Sequence, residues 1–287
     1  MIYLLLSIFS STVIFITFKF TEHFKANLVN LITINYLAAA VLGFSLNPHK
    51  FTFSQIFTFD WLSYACVIGV SYMVMFFLIG YSIRKSGIAV TTIAGKLSMV
   101  IPILFSILFY HEKQSPFKTT GLVLAVISVL LSSYRPINKA KNVWLIVLPF
   151  LIFIGTGATD ALVKYMQGNH ISNQTSLLFS SFVFTAALLS GILVMIFQPK
   201  STSKNLSFSD TLGGIVLGIA NFGSLYFFIM ALSNSRLESS IVFGLNSICI
   251  VLFSVLVGWA FFKEKFSNIN FAGIIMAFIV ILLLMNF

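Results

Sequence analysis

The feature that most constrains this chain is a succession of apolar runs, each about long enough to cross a bilayer. A helix needs about 20 apolar residues to span the hydrocarbon core. Runs near that length recur at 1–18, 28–47, 59–83, 88–110, 117–134, 143–165, 172–197, 211–234, 239–262 and 268–286. Breakers separate them: Asn47-Pro48, Ser86-Gly87, Pro116, Arg135-Pro136, Gly168-Asn169 and Pro199. Within the runs apolar residues do not alternate with polar ones, which excludes a membrane barrel. With 59% hydrophobic and 8% charged residues, the chain holds more apolar surface than one soluble core can hide, against roughly 25% charged in ordinary soluble domains. The expected fold class is an all-α membrane protein of ten transmembrane helices.

The formal charge of +10 does not point to nucleic acid. Its basic residues stand singly or in pairs between apolar runs, as membrane proteins place charge in short loops. Cys66 and Cys249 lie inside apolar runs without metal-ligand spacing, so no metal or other cofactor is expected. The start of the chain carries no basic n-region and no small-residue cleavage site, and is read as a retained first helix. The longest connection, 198–210, is polar and too small for a domain, so function must lie between the helices.

The chain also repeats itself. A shift of 152 brings Arg84 onto Arg236, Glu112-Lys113 onto Glu264-Lys265, Ser115 onto Ser267 and Gly121 onto Gly273. Two five-helix halves follow, 1–134 and 143–287, joined by a linker at 135–142. Five is odd, so the second half enters the membrane inverted, as in many secondary transporters. The stretch Lys96 to Leu131 (KLSMVIPILFSILFYHEKQSPFKTTGLVLAVISVLL) has an apolar helix with a Pro, a Glu at the turn and a Gly-containing last helix. Leu245 to Leu284 repeats it, with Ser254 where the first copy has Pro102. This pattern resembles EamA-type transporters of the drug/metabolite transporter superfamily. The resemblance implies ten helices in two halves and movement of small metabolites such as amino acids, sugars or drugs. A bacterial inner (cell) membrane is the expected location and export the expected direction.

Lys96 stands out among candidate site residues. It lies about eight residues into the fourth run, roughly 12 Å deep at 1.5 Å per residue, and its repeat mate is Ile248. A cation there faces a cavity and holds an anionic substrate group, or it snorkels to the interface. Asp160 is the acidic residue well inside a run, with Lys164 at i+4. It reads either as an ion-coupling carboxylate, for a proton or cation, or as half of a local ion pair. By axial depth alone Asp160 and Lys96 belong to opposite ends of the bilayer. Asn221 and Asn246 lie mid-span, where an amide bonds another helix or a substrate. Tyr72 and Tyr226, on repeat-related helices, could line a cavity with a hydroxyl handle. Glu112 and Glu264 sit at turns and are read as favourable charges at the next helix N-terminus, not as catalysts. Gly121/Ala125, Gly273/Ala277 and Gly214/Gly218 are read as close-packing pairs.

A transporter is therefore expected, with a small solute and membrane lipid as partners. The alternatives are a passive channel, a lipid scramblase or an intramembrane enzyme. The last lacks a visible set of catalytic residues: His23, His49, His111 and His170 all fall at loops or helix ends. Lys and Arg concentrate in the odd-numbered loops, which include Lys25, Lys85, Lys139, Lys141, Lys200 and Lys263. This places the odd loops in the cytoplasm and both termini outside.

Overall fold

A computed structural model describes residues 2–47, 59–109, 116–134, 144–171, 175–197, 206–234 and 239–285. Among the described residues the chain is helical throughout, without strands. In chain order the helices are α1 (Ile2–His23), α2 (Leu28–Leu46), α3 (Leu62–Ser86), α4 (Ile88–Leu97), α5 (Val100–Phe109), α6 (Pro116–Ser133), α7 (Trp144–Asn169), α8 (Ser176–Phe197), α9 (Phe208–Asn234), α10 (Ser239–Ala260) and α11 (Asn268–Met285).

Most helices fall on the apolar runs, with α1 and α7 reaching beyond their expected ends to His23 and Asn169. By length and composition six described segments can cross a membrane: Ile2–His23, Leu28–Leu46, Leu62–Ser86, Val147–Met166, Ser176–Phe197 and Phe208–Phe228. Shorter apolar stretches lie at Ile88–Pro102, Val123–Ser132, Leu245–Ala260 and Asn268–Leu283. Large apolar side chains such as Phe9, Val67, Leu193, Ile219, Phe253 and Ile279 are exposed along the outer helix faces. In water that surface would be unfavourable at about 25 cal/mol per Å²; lipid removes the penalty. The chain is an integral membrane protein.

The fourth run is the one that does not form a single helix. It breaks at Ser98-Met99 into α4 and α5. The cause is Pro102. A proline inside a helix cannot donate to the carbonyl four residues earlier, and its ring crowds that carbonyl. Here that carbonyl belongs to Ser98, which instead accepts from Ile101 N at 2.9 Å, a tighter turn. The Ser98 hydroxyl closes back on Gly95 O at 2.6 Å. The second copy has Ser254 at the matching place, and α10 runs unbroken through it.

Packing mixes the two halves of the chain. One group holds α1, α2, α8 and α9, whose core includes Phe18, Leu31, Tyr36, Phe184 and Leu217. Another holds α4, α6, α10 and α11, with Ile93, Ala125, Val251 and Ala277 among its buried residues. Between the groups lie α3 and α7, each packed on the other. Gly214, Gly218 and Gly273 make the close approaches expected of them. A Cβ at Gly218 would lie 2.5 Å from Asn35 O, and one at Gly214 would lie 2.9 Å from Leu31 O. Gly273 meets the Leu131-Ser132 backbone, with the Ser128 hydroxyl donating to Gly273 O at 2.7 Å.

Helix ends reveal further joints. Ser207 and Asp210 form a capping box at the start of α9: the Ser207 hydroxyl accepts from Asp210 N, and the Asp210 carboxylate accepts from Ser207 N. Ser267 and Asn270 do the same for α11. The Asn270 amide then donates to Leu131 O, Ser132 O and Tyr134 O, which satisfies carbonyls at the end of α6.

Candidate functional site

The polar centre is built where α3, α4 and α7 meet. Gly157 of α7 has no side chain and sits directly on the helix break; a Cβ there would come within 2.7 Å of Ser98 O. Gly155 accepts the side chain of Met75 in the same way, from α3. These close approaches set α7 deep against α4, and that offset answers the axial-depth expectation. Asp160 lies within electrostatic reach of Lys96, not at the far end of the membrane from it. Tyr72 of α3 is also within reach of Asp160. Among the described residues no contact ion pair joins Lys96 to Asp160. Both side chains are partly buried, whereas Lys164, the local partner considered for Asp160, is exposed.

A narrow cleft lies beside this centre, with Tyr72 in its wall. Its cavity volume is about 20 Å³, and it is lined by residues including Ile68, Tyr72, Val163, Ser176, Phe179 and Phe184. Ile171 and Ser176, beside the sixth loop, lie at its edge. Tyr72 belongs both to the cleft wall and to the neighbourhood of Asp160. The walls are mostly apolar, with Tyr72, Ser176 and Ser180 as the polar groups among them.

The remaining expected residues stand apart from that pair. Asn221 donates to Asn35 Oδ1 at 3.3 Å, joining α9 to α2. Asn246 is buried and accepts from the Ser7 hydroxyl at 3.4 Å, joining α10 to α1. Ser7 also donates to Ser224 O at 3.0 Å, and Ser11 pairs with the Ser224 hydroxyl at 2.7 Å. Tyr226 stacks on Phe222 and meets Phe227 edge-on, one residue beyond the cleft-lining Leu225. Glu112 lies outside the described residues.

Several groups near the centre were missed by sequence reasoning. The Thr156 hydroxyl, one turn from Asp160, is buried without a hydrogen-bond partner, as is the hydroxyl of fully buried Tyr36 behind Tyr72 and Phe184. No local signal distinguishes such hydroxyls from ordinary packing residues. Asp210 was placed in a loop, yet it is 1% exposed and accepts from Asn27 N at 2.9 Å and Asn30 Nδ2 at 3.1 Å. Arg84 supports the same end of the bundle by donating to Ala26 O at 2.8 Å. The pattern Ser207-x-x-Asp210 was the available clue, since it is a helix-start signature.

Glu264 also differs from its expected role. Its carboxylate serves a helix start far away in sequence. It accepts from Ile88 N at 2.6 Å and Ala89 N at 3.4 Å, the first free N–H groups of α4.

Among the described residues the lipid-facing bundle thus holds a discontinuous helix, two partly buried charged side chains and a narrow cleft beside them. Residues 1–134 match the family model described as the EamA-like transporter family, a match consistent with a member of the drug/metabolite transporter superfamily. An uncharacterized protein of Haemophilus influenzae is 26% identical over 280 residues, covering 95% of this chain and 93% of that protein. A crystal structure of another protein shares the fold with a TM-score of 0.62 at 15% identity, covering 97% of this chain and 95% of that one.

Proposed function

We propose that the protein is a secondary transporter, and not an enzyme, that moves a small polar metabolite bearing a carboxylate by alternating access. The observation that carries this reading is that Lys96 and Asp160, one from each half of the chain, lie within electrostatic reach of one another inside the bundle, and that Tyr72, within reach of Asp160, lines a cleft. Charged side chains at membrane depth are functional by default, because burying them is unfavourable by several kcal/mol unless they are paired or hydrated. In this reading Lys96 binds the substrate carboxylate, Tyr72 lines its path and Asp160 carries the coupling proton or cation. Asn221, Asn246 and Tyr226 shape the cavity walls, and their amide and hydroxyl groups reach substrate as the helices move. The break at Ser98-Met99 supports it, since unwound helix in a membrane is tolerated where it lines a polar cavity. The six long and four shorter apolar segments fall on the ten expected runs. They support two inverted five-helix halves, 1–134 and 143–287. A bacterial inner membrane and export of the solute complete the proposal.

The direct test is thermal unfolding of purified protein with a panel of zwitterionic, anionic and uncharged solutes. A ligand held at 100 times its Kd stabilises the folded state by about 2.7 kcal/mol. Carboxylate-bearing solutes are expected to raise the unfolding temperature. Stabilisation by uncharged sugars alone would remove Lys96 as the anchor.

The orientation has its own test. If the odd loops are cytoplasmic, single cysteines in 135–142 should resist an impermeant thiol reagent in intact cells, while a cysteine at the C-terminus should react. Labelling of the linker from outside would reverse the orientation, and termini on opposite sides would contradict ten crossings.

A further inference from the structure

The cleft is edged by Ile171 and Ser176, next to the sixth loop, so it approaches the even-loop face. At the odd-loop face the two halves are joined by a hydrogen bond that crosses between them. Glu264 follows α10 in the second half, and Ile88 and Ala89 open α4 in the first. The contact is built on both sides. Gly87 links α3 to α4 with φ of 99°, a conformation suited to glycine, and a Cβ there would lie 2.7 Å from Glu264 Oε1. A Cβ at Gly258 would lie 2.7 Å from Glu264 Oε2. On the Glu264 side, Lys263 adopts φ of 52° and Glu264 N donates to Gly258 O at 2.9 Å, which turns the carboxylate inward.

The helix gripped in this way is unusual. α4 has ten residues, carries Lys96 in its last turn and is cut from α5 at Ser98-Met99. It is a short lever, held at one end by Glu264 and uncoupled from its continuation at the other. We propose that Glu264 is a positioning residue that latches the odd-loop face shut and fixes the height of Lys96, so that opening to that face requires release of the Ile88 and Ala89 N–H groups. This rests on the transport reading above. The charge matters as well as the hydrogen bonds, because a carboxylate at a helix N-terminus also meets the positive end of the helix dipole.

The test is two-sided accessibility of the full-length protein in proteoliposomes, after Cys66→Ser and Cys249→Ser. One reporter is Thr92→Cys, one turn deeper than the latch and fully buried in this state. The other is Ser176→Cys, in the cleft. Glu264→Ala is expected to raise the rate of maleimide labelling at position 92 about tenfold, the scale of one lost charge-assisted hydrogen bond, and to lower it at position 176. Glu264→Gln, which keeps an acceptor but not the charge, should fall between wild type and Glu264→Ala. General loosening would raise both rates together. That result, or unchanged rates in a variant with wild-type gel-filtration behaviour, would overturn the latch. Should Glu264→Ala fail to fold, Glu264→Gln decides the question alone: opposite shifts at the two reporters uphold the latch, and unshifted rates refute it. No substrate is needed, so a failed latch is distinguishable from a failed transport reading, which is judged by ligand stabilisation.

Discussion

Replacing Lys96 by alanine is expected to weaken transport of a carboxylate-bearing solute by about a hundredfold or more. Truncating one partner of a buried, hydrogen-bonded charge pair removes roughly 2–5 kcal/mol of binding, and each 1.4 kcal/mol is a factor of ten in affinity. The loss should appear in the substrate concentration needed for half-maximal exchange as well as in the maximal rate, because the same side chain attracts and positions the solute. Expression should persist, since Ile248 occupies the repeat-related position and the fold itself has no demand for a cation there. Lys96→Arg keeps the charge with a planar head group and should retain part of the activity. Counterflow measurements in proteoliposomes that show wild-type affinity for Lys96→Ala would remove Lys96 from the site.

Asp160→Asn is expected to have the opposite signature. Uphill accumulation driven by a pH or cation gradient should fall to the level reached without a gradient, while exchange of labelled for unlabelled solute continues. The reason is chemical. An amide fills the same space beside Tyr72 but neither binds nor releases a proton, and it offers no negative charge to a cation. The two assays separate the roles. Gradient-driven accumulation at the wild-type level would leave Asp160 a structural counter-charge to Lys96. Loss of exchange together with accumulation would make it a direct substrate contact.

Much of the bundle is legible in the sequence because hydropathy is additive along a helix: a run of apolar residues announces itself wherever it packs. Residues 28–47 and 239–262 became α2 and α10 nearly as read. The break after Leu97 was harder, since hydropathy continues without interruption through Ser98 and Pro102. Its cause was visible as a single proline, but a proline says only that strain exists and not how the helix relieves it. The Lys96–Asp160 pairing lay further out of reach. Depth along each helix can be counted, but the sliding of one helix against another depends on where small residues permit contact. Here Gly157 lets α7 press on Ser98, and Asp160 comes within electrostatic reach of the lysine. Glu264 shows the limit of local reasoning. The nearest helix start in the chain is that of α11, yet the groups it binds lie 176 and 175 positions away in sequence. Asn221 and Asn246 illustrate the same limit, because an amide in a membrane helix bonds whatever polar group packing brings near it.

The joint between α6 and α11 bears on how the molecule is made. The carbonyls of Leu131, Ser132 and Tyr134 receive their protons from Asn270, and the backbone of α6 presses on Gly273. During synthesis α6 leaves the ribosome long before either residue exists. Until α11 is made, those carbonyls at the end of α6 lack the Asn270 amide that satisfies them. Every helix from α7 to α10 must follow before its companion arrives. A helix translated well after α6 is thus the one that seals it, and a nascent protein interrupted just short of α11 presents the quality-control machinery with an unsealed α6.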